Sequence, residues 1–318
     1  GYQAGLEVTT ATENVLIGGL AGDALTNGGQ NVAVGHAALS AEDGHGQNVA
    51  IGYLALNAQN AGATAYNTAV GASAGAAVTT GQRNVLVGGL AGDALTDADD
   101  NVAIGTTALS TDTLGSRSVA IGKESLAAQN FTTATNSYNT AVGAFSGNAV
   151  STGTLNTLVG GLAASALTTG YQNTVFGYGA LSTEDTGRLN TAIGTLALST
   201  QNSDADNYNT AVGHHAGKAV TTGINNTIVG ALAGDALTEG DLNTVVGVIA
   251  LGADTKGSRA VAIGRNALGS QNFTTATANY NVAVGYSAGG TISTGIQNVF
   301  IGGEAGDGTD DGLNNVAV

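Results

Sequence analysis

Apolar and polar residues alternate with a period of two in one short segment that returns along the whole chain. The segment reads Asn-[Val/Thr]-x-[Val/Ile]-Gly-x-x-Ala, as in Asn31-Val32-Ala33-Val34-Gly35-His36-Ala37-Ala38. Such alternation predicts a half-buried β-strand. The position before the glycine is Val or Ile in 17 of 18 copies, Phe176 being the exception, and the first position is Asn in 16, with Ser118 and Ala260 replacing it. So little variation marks both as structural columns. The Val/Ile and Val/Thr positions share one face, expected to point inward; Asn and a small third residue share the other. Glycine then turns the chain, where a Cβ would meet a strained φ or a neighbouring backbone. A second short strand is expected after it, with Ala or Ser three residues past each glycine and then Leu or Val, as in Ala38-Leu39 and Ala77-Val78. Polar segments such as Thr79-Thr80-Gly81-Gln82-Arg83 close the unit.

The repeat sets the fold class. Its glycines recur every 17 residues, broken only by steps of 19 (52 to 71, 194 to 213) and 21 (122 to 143, 264 to 285). Two short strands and two turns in 17 residues describe one coil of an all-β, repetitive parallel β-solenoid, or β-roll, of about 18 coils. Rungs stacked about 4.8 Å apart would make a rod roughly 85 Å long. Each column then becomes a ladder, represented by Asn31, Val34 and Gly35, by Asn101, Ile104 and Gly105, and by Asn190, Ile193 and Gly194. Asn ladders can satisfy their amides from rung to rung. Four coil types recur in fixed order, giving superrepeats at 14–83, 84–155, 156–225 and 226–297 within one continuous solenoid spanning 1–318, with partial coils at both ends. Gly1-Tyr2-Gln3-Ala4-Gly5 aligns with Gly285-Tyr286-Ser287-Ala288-Gly289, so the sequence starts inside a coil. With no Met, it reads as the ordered part of a longer polypeptide.

Composition narrows the function. Glycine supplies 51 of 318 residues, yet Pro is absent, which excludes collagen. Without Cys there are no disulfides, thiol nucleophiles or Cys-based zinc sites. No apolar run approaches the ~18–20 residues of a membrane span, and no signal peptide is recognisable. A net charge of −15 argues against nucleic acid or an anionic membrane as the main partner. A thin roll lined by Ala and Val buries little apolar area at ~25 cal/mol/Å². Small residues on a flat face favour the close approach of further copies, so self-association is expected.

Two motifs resemble known families. Ser118-Val119-Ala120-Ile121-Gly122 and Ala260-Val261-Ala262-Ile263-Gly264 resemble the Ser/Ala-Val-Ala-Ile-Gly motif in the heads of trimeric autotransporter adhesins. The Asn-Thr-Ala-Val-Gly-x-x-Ala-Leu form, seen at 190–198, is similar to repeats in bacteriophage tail-fibre shafts. The resemblance covers the whole chain and implies a parallel homotrimeric β-roll in an extended attachment appendage, on a virion tail fibre or at a bacterial cell surface. It further implies a host cell-surface glycan or protein as receptor. Adhesin heads of this type use shorter rungs than the 17 residues found here, a departure that bears on the cross-section.

Candidate chemistry is sparse. Gly71-Ala72-Ser73-Ala74-Gly75 and Gly285-Tyr286-Ser287-Ala288-Gly289 match the Gly-x-Ser-x-Gly nucleophile pattern but lack its strand–elbow–helix context, and read as turns. Asp23, Asp93, Asp235 and Asp307 sit where calcium-binding repeat toxins place carboxylates, but recur only every fourth coil. Solvated carboxylates or turn caps are expected there instead of calcium, and no cofactor is expected. His214 and His215 are adjacent and, in a strand, should point apart. Asp97, Asp99 and Asp100 read as a solvated loop. The third coil of each block carries extra residues, and its two longer forms, 129–138 and 271–280, combine Phe131, Thr132 and Thr133, or Phe273, Thr274 and Thr275, with nearby Arg117, Lys123, Lys256, Arg259 and Arg265. Protruding loops on a rigid scaffold are where binding usually lives, so these are the candidate receptor contacts. The alternative is that Phe and Tyr pack against the roll or a neighbouring chain. No residue is nominated as catalytic, and the expectation is a structural, non-enzymatic shaft or head segment. An ice-binding solenoid would need a long uninterrupted Thr ladder on one flat face, but the Thr column from Thr140 to Thr244 shares the Val/Ile face and is expected to point inward; a polysaccharide-cleaving one would need carboxylates clustered in a groove, and the sequence shows none.

Overall fold

The computed structural model describes residues 1–308 and 310–318 and is an all-β, parallel β-solenoid of about 18 turns. It divides into two compact units, Gly1–Asn156 and Thr157–Val318. In the first, the strands Val15–Ile17, Val32–Val34, Val49–Ile51, Thr68–Val70, Val85–Val87, Val102–Ile104, Val119–Ile121 and Thr140–Val142 pair in turn, each parallel to the next. In the second, the series runs from Thr157–Val159, Thr174–Phe176 and Thr191–Ile193 to Val299–Ile301 and Val316–Ala317 in the same way. Register is residue for residue, as in Val32↔Val49, Ala33↔Ala50 and Val34↔Ile51, so each column faces itself.

The strands stop after three residues because glycine follows. Gly105 has φ +135°, and a Cβ there would lie 2.5 Å from the carbonyl oxygen of Gly122 on the next turn. Only glycine tolerates both the backbone and the close approach.

The expected second strand does not form. The chain instead runs through a series of turns in which non-glycine residues alternate into the left-handed region, such as Ala37 (φ 51°) and Leu39 (φ 52°), or Leu54 (φ 56°) and Leu56 (φ 47°). That conformation costs about 1–2 kcal/mol per residue. Hydrogen bonds between turns offset it: Ala37 N donates to Gly19 O at 2.9 Å and Leu39 N to Ala55 O at 3.0 Å. Backbone groups stay paired along the stack where a strand would have paired them.

The assignment of faces is also reversed. Along each strand the middle residue is buried and its neighbours are half-buried or exposed: Ala33 between Val32 and Val34, Leu158 between Thr157 and Val159. The Val/Ile and Val/Thr columns, Val34, Ile104 and Ile193 included, therefore face outward, Ile193 being 37% exposed. Asn and the third residue face in. Three residues cannot cover both sides of so narrow a coil, and the inward space at the strand is small. That space takes Ala on most turns and Leu158, Val175, Ile228 or Phe300 on others, with glycine making room beside some of the larger residues. A Cβ on Gly22 would fall 2.8 Å from Leu16 Cδ2 and from Leu25 Cδ1. Gly75 plays the same part beneath Leu86, 2.6 Å from its Cδ1.

Buried asparagine closes each turn of the coil. Asn101 N donates to Asn84 Oδ1 at 3.0 Å, while Asn101 Nδ2 donates to Gly115 O at 2.9 Å within its own turn. Asn31 and Asn190 bond the preceding Asn in the same way, through Asn14 Oδ1 and Asn173 Oδ1. At Asn31 and Asn101 the side chain ties strand to closing loop and turn to turn at once. Ser118 keeps the backbone half of this ladder, donating its N–H to Asn101 Oδ1 at 2.8 Å.

Candidate functional site

The two long loops leave the coil and add a short parallel pairing of their own, Gly115–Ser116 with Thr135–Asn136 and Gly257–Ser258 with Thr277–Ala278. Their aromatic residues are not presented outward. Phe131 and Phe273 are each 6% exposed, and a Cβ on Gly115 would lie 2.7 Å from Phe131 Cδ2. As contact residues, Phe131 and Phe273 are therefore corrected to loop anchors: burial of a large ring holds the excursion down. Thr132, Thr133, Thr274 and Thr275 are exposed. Beside them stand Tyr138 and Tyr280, about half exposed, each with an arginine guanidinium 5.6 Å from its ring centre, from Arg117 and Arg259. Arg117 Nη1 also donates to the Tyr138 hydroxyl at 2.7 Å. Thr, Tyr and Arg thus make up the accessible surface of each loop, with Lys123 drawn over Phe145 and Lys256 paired to Glu239 at 2.8 Å.

Beneath these loops lies a feature that sequence reading missed. Four acidic side chains, Glu42, Asp112, Glu184 and Asp254, are fully buried. Asp112 Oδ1 accepts from Gly115 N and Phe131 N, both at 3.0 Å, and Oδ2 accepts from Gln129 Nε2 at 2.6 Å. Asp254 has the same three partners in Gly257, Phe273 and Gln271. Glu184 accepts from Gly187 N at 2.8 Å, Gln201 Nε2 at 3.0 Å and Asn207 Nδ2 at 3.2 Å. Each of these three carboxylates pins its own closing turn and the loop of the following turn. The visible signal was an acid standing in the column that elsewhere holds Leu25, Val78 or Leu95, with Gln59, Gln129, Gln201 or Gln271 one turn later. Burial holds the Asp254 and Glu42 carboxyls above the ordinary carboxylate range, against their hydrogen bonds.

The remaining sequence candidates resolve as follows. Ser73 and Ser287 occupy left-handed turn positions (φ 55° and 49°). Asp93 and Asp235 are half-buried, and burial raises both. His214 and His215 lie in a turn and stack, with ring centres 3.8 Å apart, so the expectation that they diverge is wrong. Burial and then the neighbouring His214 lower the His215 pKa. Asp99 and Asp100 are ion-paired with Arg83, at 3.2 and 2.6 Å, and are not a freely solvated cluster. Among the described residues, one group of three potential metal ligands comes together: Glu42, Asp43 and His45. Among those residues, too, no helix is long and apolar enough to cross a membrane. Comparison with protein-family models, curated proteins and solved structures finds no match.

Proposed function

We propose that this chain is a non-catalytic shaft or head segment of an extended attachment fibre, working as a parallel homotrimer. One observation carries the reading: the outward side of the strands is a continuous ladder of β-branched residues left half-exposed by the single chain. Ile51 and Ile193 are each 37% exposed, and each stands in register with the same column on adjacent turns. Soluble monomers rarely leave contiguous apolar patches beyond a few hundred Å² uncovered. Packing copies of this face together would bury it, and the 17-residue period would repeat the same contact at every rung. The four-coil block then reads as a packing unit, in which Leu16 or Leu86 fills the strand side of one turn where Gly22 or Gly92 yields space. A bacteriophage tail fibre is the favoured setting, with a bacterial surface adhesin as the alternative. The exposed Thr–Tyr–Arg surfaces of the long loops are the proposed receptor contacts. Light scattering coupled to size exclusion tests self-association: the expected mass is three times the 30.8 kDa chain. A folded monomer would overturn it.

The outward face favours a second reading. Thr157, Thr174, Thr191, Thr210, Thr227 and Thr244 occupy one column on six successive paired strands, spaced by the ~4.8 Å inter-strand distance. A flat, regular, weakly apolar Thr surface can order water, so ice adsorption is the rival function. Inhibition of ice recrystallisation by a folded monomer would select it.

A further inference from the structure

The closing loop at 42–46 departs from its three counterparts in ways that point to one ligand. At Asp112, Glu184 and Asp254 the residue three positions on, whose N–H caps the acid, is glycine; at Glu42 it is His45, which donates N–H to Oε1 at 3.1 Å. In the other three loops the glutamine of the next turn donates to the buried carboxylate at 2.5–3.0 Å. Here that bond is not made: Glu42 Oε2 and Gln59 Nε2 are both buried without a hydrogen-bond partner, and so is His45 Nδ1. A fully buried glutamate with an unpartnered oxygen beside an unpartnered imidazole nitrogen is an expensive arrangement.

We propose that Glu42, His45 and Asp43 form a binding site for a divalent cation of the zinc class. Glu42 Oε1 and His45 Nδ1 are 3.6 Å apart. Two donors at about 2.1 Å from a shared ion and that far apart subtend an angle near 120°, within the range of four-coordinate zinc. The ligand atoms of all three residues lie within 4.8 Å of one another. Asp43 is exposed but fixed in place, its carbonyl accepting from Thr26 N at 2.7 Å and Thr26 Oγ1 at 2.9 Å. A groove of about 460 Å³ lined by His45, Gly44, Gln47 and Glu13 opens beside the histidine. One imidazole and two carboxylates suit zinc or its neighbours better than calcium, which takes six to eight oxygens. The three loops without histidine are internal controls.

The test is competition for Zn²⁺ between the full chain, freed of metal by dialysis against chelator, and a chromophoric chelator. The expected result is one saturable site per chain. His45→Ala should weaken it by more than the roughly 10–100-fold lost when an outer-shell partner is removed. Asp43→Asn, at an exposed position that does not threaten the fold, should weaken it less. A double His214→Ala, His215→Ala variant should bind as the parent does. Absence of saturable binding, undiminished binding by His45→Ala, or loss of binding with the His214–His215 pair would each overturn the assignment. Circular dichroism and melting of each variant keep a folding defect from imitating a lost ligand.

Discussion

The two sides of one strand differ more than their composition suggests. In Thr157–Val159 the side chain of Leu158 is fully enclosed, while Thr157 and Val159 on either side are left half-covered. Both sides are apolar, both repeat at every turn, and both form unbroken ladders. The inward side is finished: Leu158 is fully buried, and the Asn ladder beside it bonds from turn to turn. The outward side is left part open, with Thr157 and Val159 each keeping some exposed surface. The inward column therefore specifies the fold, and the outward column is the face on which the proposed self-association rests.

Substitutions that separate the two sides test this most sharply. Leu158→Asp should have the largest effect, preventing cooperative folding of its unit, because an unpaired buried carboxylate costs several kcal/mol. Leu158→Ala should cost about 2–5 kcal/mol in thermal or denaturant unfolding. Val159→Asp should leave the circular dichroism of the coil intact yet lower the mass seen by light scattering. Equal damage from Val159→Asp and Leu158→Asp would erase the distinction between the two sides. Next in size, Asn190→Ala removes the Nδ2–H donated to Asn173 Oδ1 at 3.2 Å and should lose about 0.5–1.5 kcal/mol. Its outward neighbour Thr191→Ala should lose little by the same measurement.

The buried acids give a smaller effect with a defined sign. Burial raises the Asp254 carboxyl, so the native state resists ionising it. Its contribution is favourable below the ordinary aspartate value and is lost as pH rises through the raised native value. Asp254→Asn should flatten that part of the melting-temperature profile. Asp100 has the opposite sign: the hydrogen bond from Arg83 lowers its pKa, so its contribution is present above the ordinary value and fades as pH falls. Arg83→Ala should cost least, within the roughly 0–1 kcal/mol of exposed ion pairs, and less again in high salt.

Much of the scaffold could be read without coordinates. The Asn-x-x-[Val/Ile]-Gly spacing predicted the parallel solenoid of about 18 turns, because an in-register stack is the simplest way for identical short segments to satisfy one another. The functional surface was less legible. Phe131 and Phe273 read as exposed contacts because they sit in insertions, but a ring in an insertion has the free choice of covering the coil beneath, and both do. Asp112 and Glu184 drew no reading from the sequence, although they stand in the column that elsewhere holds Leu or Val. Only the fold brings Gln129 and Gln201 from the next turn to bond them.

Sequence alone determined the unit, its tally of turns, the absence of cysteine chemistry and the positions at which only glycine can stand, since each follows from local sterics or from counting. Which side of the alternation is the inside was beyond it. Period two distinguishes two faces but carries no sign, and here both faces are apolar enough to be core. Only the folded coil decides the matter: Ala33 and Ala50, and Leu158, Val175 and Ile228 on other turns, lie inside with the ladder Asn, while the Val/Thr and Val/Ile columns on either side of them stay at the surface. Glu42 and His45 stand three residues apart in one closing loop, and only the folded loop shows that their polar atoms lie side by side and unshared.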